Sequence, residues 1–586
     1  MLARLGDRDQ VKSLGLVGQK LLGTEKPSRI TYSVVLYERG TDRNVVRVHA
    51  DSLDEPFDIN SGAKLILGST AKLRTLITYL DIINRLHGRY AEMSSRELQA
   101  VSAKAQDPLT RWAAGYLAGA SDRSLQSMLD AAMQRRYSAS PNETFFTGGG
   151  MHVFHNYERS DDSKVPTVAE AFAHSINLAF IRLMRDISHY YIAEGGGQTK
   201  ELQADQPDSV REIYLRRFAD QEGRTYLNRF YDDFRGRTPD ENLSLVASRT
   251  EPFPRRLAVI FRSVRPQAPV SGLRDFLAMQ LPKLSLADAT IESLYVSYAV
   301  DRYSLADRGY LAGVHPLELW LAAYLQSHPG ASRGEILKAS VAERQEVYGW
   351  LFKTRSAYKQ DVRIRIMREE DAFNQILQDW RQQGYPFGHL IPSLATAIGS
   401  SGDRPDALAR LMGIILNDGM QLPTVDVERV QFAADTPYET DMAIKPPAPK
   451  RVFAPEVAAT VRRALMGVVA EGTGARLRDA YRATDGRPLA VGGKTGTGDN
   501  RFESFGAGRR LIVSRVVDRT ATFVFFLGDR FFGTITAYVP GAEAAAYHFT
   551  SALAVQLLRA LEPQLEPLID ARGAADGPST AALSPR

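Results

Sequence analysis

Apolar and polar positions divide the chain into three textures. Near the start, Ile30-Thr31-Tyr32-Ser33-Val34-Val35-Leu36-Tyr37 reads as a strand, Arg39-Gly40-Thr41-Asp42-Arg43-Asn44 as a turn, and Val45-Val46-Arg47-Val48-His49-Ala50 as the returning strand. After Ser69 the apolar residues Leu73, Leu76, Ile77, Leu80 and Ile83 recur at helical spacing. Residues 88–145 read as helical and polar. Thr167-Val168-Ala169-Glu170 has the form of a capping box, so a short helix is expected to start there and run toward Ser175, with a second from Leu178 to Ile187.

From 188 to 387 the pattern is charged, Leu-rich and amphipathic, broken at Pro252, Pro254, Pro266 and Pro329-Gly330, which predicts a mostly helical insertion. Gly195-Gly196-Gly197 within it reads as a loop. The texture changes at Ile391-Pro392-Ser393, followed by a helix over 405–417 and a surface turn at Pro446-Pro447-Ala448-Pro449. Pro455 suits the first position of a helix reaching Val469. Three strands are then expected: one leading into Lys494, one over Ala521–Leu527 and one over Gly533–Val539. An amphipathic helix should follow from Ala544 to Leu561, then a disordered tail over 563–586. Residues 1–28 read as a lead-in. Two early strands and three late ones close most simply as one five-stranded antiparallel sheet flanked by helices, an α+β arrangement with 188–387 as a separate helical lobe.

Composition narrows the chemistry. At 586 residues the chain exceeds a single core. The 73 basic and 68 acidic residues leave +5, spread without basic blocks, which argues for a mildly basic surface and against nucleic-acid binding. There is no cysteine, which excludes thiolate catalysis, disulfides and cysteine metal sites. No apolar run of about 18 residues is present to span a membrane. The first residues lack a signal peptide's apolar segment, so an extracytoplasmic role would need an export segment upstream. His152 and His155 have no carboxylate pair at metal-ligand spacing; no metal or cofactor is expected.

Three short motifs carry the candidate chemistry. In Ser69-Thr70-Ala71-Lys72, a helical rise of about 4.5 Å sets both side chains on one face, the serine as nucleophile and the lysine as its base. Gly68 breaks the chain just before, placing Ser69 at a helix N-terminus, where the dipole disfavours a protonated lysine. The pattern recurs by chance at Ser61-Gly62-Ala63-Lys64, where Gly62 weakens a helix and no apolar stripe follows. In Ser175-Ile176-Asn177 the serine can relay a proton and the asparagine can hold both Lys72 and a substrate amide. In Gly493-Lys494-Thr495-Gly496-Thr497 the lysine supplies charge, Thr495 and Thr497 can bind a carboxylate, and Gly496 allows close approach. The N–H groups of Ser69 and Thr497 are the expected oxyanion hole.

Together the motifs resemble the transpeptidase domain of penicillin-binding proteins, in particular the class A, glycosyltransferase-linked type. Leu67-Gly68-Ser69-Thr70-Ala71-Lys72 is similar to that family's P-G-S-T-x-K, with leucine in place of proline. Residues 167–175 resemble the helix leading into its S-x-N, and Gly472-Thr473-Gly474 with Gly493–Thr497 its G-T-G and G-K-T-G-T pair. The resemblance spans about 29–87, 146–187 and 388–560. It implies a penicillin-recognising, β-lactamase-like fold, with 29–187 and 388–562 forming the transpeptidase domain. It implies catalysis by Ser69, Lys72, Ser175, Asn177 and Lys494, with substrate held by Thr495, Gly496 and Thr497. The implied reaction is D,D-transpeptidation of peptidoglycan stem peptides through an acyl-enzyme that β-lactams would also form. The implied location is the periplasmic face, inner-membrane associated in a longer protein whose glycosyltransferase domain and anchor are not written here. A D,D-carboxypeptidase or endopeptidase is one alternative. A β-lactam-binding sensor or scaffold, with the helical insertion binding cell-wall proteins, is another.

Overall fold

The computed structural model describes residues 2–53, 55–198, 207–353, 357–427, 429–443, 445, 447–483, 485–505 and 511–570. They form two compact units, Met1–Gly195 with Glu369–Arg586, and Gly196–Arg368.

The first unit is a mixed α/β structure built on one sheet. Its strands are β1 (Thr31–Arg39), β2 (Asn44–Asp51), β3 (Thr424–Val425), β4 (Val491–Phe505), β5 (Leu511–Leu527) and β6 (Phe531–Pro540), in spatial order β4-β5-β6-β1-β2-β3. Five of them are antiparallel neighbours, as the strand pattern predicts. β1 closes the sheet by pairing with β6, with Val34 opposite Ile535. The sixth, β3, is two residues long and runs parallel to β2, docked where the Asn44 N–H donates to Pro423 O at 2.8 Å.

Both faces of the sheet are covered, so β1 and β6 are buried almost throughout, including Ser33, Thr534 and Thr536. Along β5, Val524 and Phe526 pack into one core, whereas Ala521, Phe523, Phe525 and Leu527 belong to the other. The first core is completed by α1 (Ala71–Tyr90), α2 (Val168–Ala173), α3 (Asn177–Gln198), α4 (Pro405–Leu416) and α5 (Pro455–Ala470). The second is completed by α6 (Ala552–Ala560) and by the lead-in, whose Leu5, Val11, Leu16, Leu21 and Leu22 are buried. Thr167 and Glu170 form the expected capping box on α2, and Pro455 opens α5.

Other expectations are corrected. Gly195–Gly197 continues α3, the helix bearing the cost of about 1 kcal/mol per glycine. The helix expected from Ala544 is split: a 3-10 helix covers Ala542–Ala546 and α6 starts at Ala552, just after the Thr550 N–H turns outward to donate to Lys20 O. A helix, Glu562–Asp570, occupies the start of the expected disordered tail. It is amphipathic enough to seat Leu565 on the second core, and the Leu568 carbonyl accepts from Arg530 at 2.9 Å. The rest of that expected tail, 571–586, lies outside the described residues. β4 and β5 continue well past the expected strands as a long ribbon.

The second unit has helices only among its described residues, including Pro207–Phe234, Pro254–Val264 and Pro316–Ser327. It has its own core around Leu227, Phe261, Leu317 and Leu321. Among the described residues of the chain no helix is long and apolar enough to cross a membrane.

One buried ion pair ties α1 to the chain that returns beside it. Arg74 is inaccessible to solvent; its Nε donates to Asp403 Oδ2 at 2.7 Å and its Nη1 to Gln383 O at 3.0 Å. Removing one partner of such a pair strands a buried charge. Arg74→Ala should therefore destabilise the first unit by about 3–5 kcal/mol, measured by urea denaturation against the unaltered chain.

Candidate active site

Three segments meet at Ser69 because their backbones can touch. Gly68 turns at φ +55°, and a β-carbon there would lie 2.1 Å from Thr497 O; one on Gly496 would lie 2.0 Å from Leu67 O. Only glycine tolerates this approach, so β4 rests directly on the turn that presents Ser69. That turn is a single 3-10 turn, Gly68–Thr70, feeding α1, which brings Lys72 under the serine. The Gly472-Thr473-Gly474 turn locks the third side, with the Thr473 N–H donating to Ala173 O at 3.2 Å.

Between α2 and α3, Ser175 has φ +59°, a left-handed conformation uncommon for a residue with a β-carbon. It aims both its carbonyl and its hydroxyl at one amine. Lys72 Nζ is 2.6 Å from Ser175 O, 2.8 Å from Asn177 Oδ1, 2.9 Å from Ser69 Oγ and 3.1 Å from Ser175 Oγ. Asn177 is oriented by its Nδ2, which donates to His155 O at 3.1 Å, so its oxygen faces the lysine. Lys494 Nζ donates to Ser175 Oγ at 2.9 Å and to Thr495 O at 3.1 Å. Ser175 Oγ thus stands between the two lysines.

The electrostatics follow from burial. Lys72 and Lys494 are both without solvent exposure. The Phe180 ring lies 5.8 Å from Lys72 Nζ and the Phe172 ring 5.6 Å from Lys494 Nζ. Ring faces attract an ammonium, but at this distance by about 2 kcal/mol at most, less than the desolvation of an ammonium. Burial pushes the Lys72 amine well below the ordinary lysine range, the charge of Lys494 pushes the same way, and Asp161 opposes both. Burial lowers Lys494 to about 7.

A neutral Lys72 accounts for its neighbours. Ser175 O and Asn177 Oδ1 can only accept, so they take the two N–H bonds and leave the lone pair for a hydroxyl proton. The arrangement can therefore draw a proton from Ser69 and pass it through Ser175 toward Lys494. The threonines of β4 are held apart from this exchange. Thr495 Oγ1 is 2.6 Å from Thr473 Oγ1, and Thr497 Oγ1 accepts the Ser551 N–H at 2.8 Å, leaving its own proton to donate.

All the residues singled out in the three motifs are brought together: Ser69, Lys72, Ser175, Asn177, Lys494, Thr495, Gly496 and Thr497. The second S-x-x-K is not. Ser61 is engaged by Asp58, which caps the four-residue helix Ile59–Gly62, and Lys64 sits 4.8 Å from the Phe387 ring. Sequence reasoning missed Thr473 as a partner of Thr495, although its Gly-Thr-Gly setting was visible. It also missed Phe172 and Phe180, which read as ordinary core residues, and the backbone carbonyl of His155, which leaves no signal in sequence.

No protein-family model matches the chain, and no curated protein matches it. Solved structures with similar outlines include a D,D-transpeptidase domain of a peptidoglycan glycosyltransferase from Eggerthella lenta (13% identity, TM-score 0.36, covering 92% of this chain and 78% of that one). Two others are from Mycobacterium tuberculosis: the penicillin-binding protein PonA1 (12%, TM-score 0.38, 95% and 84%) and penicillin-binding protein 3 complexed with aztreonam (12%, TM-score 0.35, 92% and 74%). Likenesses at this level leave the functional argument with the geometry of the site.

The lysines make stability depend on pH. The unfolded chain binds a proton at Lys494 up to the ordinary lysine value, whereas the folded chain releases it near 7. Between those values the unfolded state holds more protons, so stability should rise with pH by up to about 1.4 kcal/mol per unit for this group. Urea denaturation between pH 7 and 9 should show that rise, and Lys494→Met should lessen it while leaving the contribution of Lys72.

Proposed function

We propose that this chain is a serine acyltransferase of the penicillin-binding kind, a D,D-transpeptidase acting on peptidoglycan stem peptides, with residues 29–187 and 388–562 as its catalytic domain. The observation that carries the reading is Ser69 Oγ 2.9 Å from the buried amine of Lys72, which is itself held by Ser175 and Asn177. A serine hydroxyl is a poor nucleophile at neutral pH unless a base is beside it, and a positioned base contributes about 10²–10⁴-fold.

In this mechanism the terminal carboxylate of a D-Ala-D-Ala stem binds the hydroxyls of Thr495 and Thr497 beside Lys494. Ser69 Oγ attacks the penultimate carbonyl carbon while its proton passes to Lys72 Nζ. The oxyanion is received by the N–H groups of Ser69 and Thr497. The C–N bond to the terminal D-Ala breaks, and its nitrogen takes a proton delivered through Ser175. An amine from a neighbouring stem then attacks the ester, forming the cross-link and returning the proton to Ser69. β-Lactams would acylate Ser69 by the same attack. An extracytoplasmic location belongs to this reading, because its substrate lies outside the cytoplasm. A role for the helical segment 188–387 in meeting other cell-wall proteins belongs to it too.

Labelling with a fluorescent penicillin tests the assignment. The unaltered chain and Ser61→Ala should take the label, Ser69→Ala should take none, and Lys72→Ala should react about 10²–10⁴-fold more slowly. Label retained in Ser69→Ala would remove the mechanism. Product analysis with a D-Ala-D-Ala stem peptide and an added amine separates transfer from hydrolysis.

A further inference from the structure

The Gly472-Thr473-Gly474 turn reaches the site from outside the three motifs and takes no part in the acyl-transfer steps above. Its backbone is clamped. The Thr473 N–H donates to Ala173 O at 3.2 Å, at the end of α2 and two residues before Ser175. A β-carbon on Gly472 would lie 2.1 Å from the same carbonyl, and the Gly474 N–H donates to Val468 O of α5 at 2.9 Å. Glycine before Thr473 lets the turn sit this close, so the threonine side chain is delivered at a fixed place.

That side chain meets β4. Thr473 Oγ1 is 2.6 Å from Thr495 Oγ1, a hydroxyl pair joining positions 22 residues apart. The two residues differ in surroundings. Thr473 is exposed, whereas Thr495 is 2% exposed and its carbonyl accepts from Lys494 Nζ at 3.1 Å. Among the described residues neither hydroxyl has a second hydrogen-bond partner. The pair therefore holds two protons with one bond between its oxygens, and whichever oxygen receives keeps its own proton for another acceptor. A carboxylate can only accept. While the pair is kept, Thr495 can donate to a carboxylate only by receiving from Thr473. The result is a chain from Thr473 through Thr495 to the carboxylate, in which each bond polarises the next.

We propose that Thr473 is a positioning residue for recognition of the donor's terminal carboxylate: by donating to Thr495 it turns the Thr495 proton toward that group. The proposal rests on the acyl-transfer reading, in which Thr495 meets the carboxylate, and adds to it a residue outside the Lys494–Thr497 run. Its consequence is selectivity. A donor ending in a free carboxylate gains from Thr473, and one ending in a neutral group does not. The step concerned is binding, because the partners of Lys72 Nζ are Ser69, Ser175 and Asn177 and include neither threonine.

Two forms of one fluorescent penicillin, the free acid and its methyl ester, test this. The free acid should label the unaltered chain faster than the ester. Thr473→Val keeps the shape and removes the hydroxyl. It should slow the free acid by about 3–10-fold, the worth of one hydrogen bond, and leave the ester rate unchanged. The loss should appear in the half-saturating concentration, with the limiting acylation rate kept. Thr473→Ser, which keeps the hydroxyl, should match the unaltered chain. In a Thr495→Val background the further change Thr473→Val should have little effect, because the two hydroxyls act as one unit. Equal slowing of both probes by Thr473→Val, no slowing of either, failure of Thr473→Ser to match, or an undiminished loss in the Thr495→Val background overturns the proposal. Absence of label on the unaltered chain would count against the acyl-transfer reading instead. The role of Thr473 would then be read from equilibrium binding of N-acetyl-D-Ala-D-Ala and its C-terminal amide. A preference for the acid that Thr473→Val abolishes bears the proposal out; one that persists, or is missing from the unaltered chain, overturns it.

Discussion

The site turns on keeping the amine of Lys72 out of water while giving it an oxygen in every free direction. A solvated lysine is protonated at neutral pH and has no lone pair to offer. Here burial takes water from the amine, with the Phe180 ring 5.8 Å away, and the charge of the neighbouring Lys494 disfavours its proton. Desolvation outweighs the pull of Asp161 and of the ring faces toward the charged form, because an ammonium sealed from solvent without a carboxylate at contact distance is costly by several kcal/mol. The same burial makes the hydroxyl of Ser69 the natural partner for the lone pair, since the carbonyl of Ser175 and the amide oxygen of Asn177 can only accept.

Holding that arrangement makes demands elsewhere in the fold. Segments distant in the chain have to arrive within hydrogen-bond reach, and they do so by removing side chains at the contacts. Gly68 and Gly496 let β4 lie on the turn that presents Ser69. Ser175 accepts a left-handed backbone, which is unfavourable for a residue with a β-carbon and persists because Ile176 and Ser175 donate back to Ala171 and Phe172. The sheet itself is covered on both faces, so β4 is an edge strand anchored by its neighbour β5 with its other edge free beside the serine.

Much of this could be read from the chain. The helical spacing after Ser69, the capping box at Thr167 and Glu170, Pro455 at the head of its helix and the five antiparallel strands all follow from local pattern, because backbone hydrogen bonding and side-chain periodicity are short-range. The misreadings have a common cause. Gly195–Gly197 and residues 562–570 have loop-like or tail-like composition, yet both are helical, and Leu565 shows how tertiary burial overrides local preference. Thr550 turns its N–H outward to Lys20 O in the break between the 3-10 helix and α6. The parallel pairing of Thr424 and Val425 is too short to leave a period.

The motifs alone determined which residue types were available: a hydroxyl with a lysine one helical turn away, a second serine with an asparagine, and a lysine on a glycine-bearing strand. The S-x-x-K spacing also occurs at Ser61, and the sequence set it aside because Gly62 weakens a helix there and no apolar stripe follows. What only the tertiary structure supplies is the surroundings: it gives Ser61 to Asp58 and Lys64 to Phe387 while sealing Lys72 among oxygens from segments distant in the chain. Spacing along a chain sets which groups can face the same way. Whether an amine keeps its proton depends on the dielectric and the charges around it, and only the packed fold supplies those.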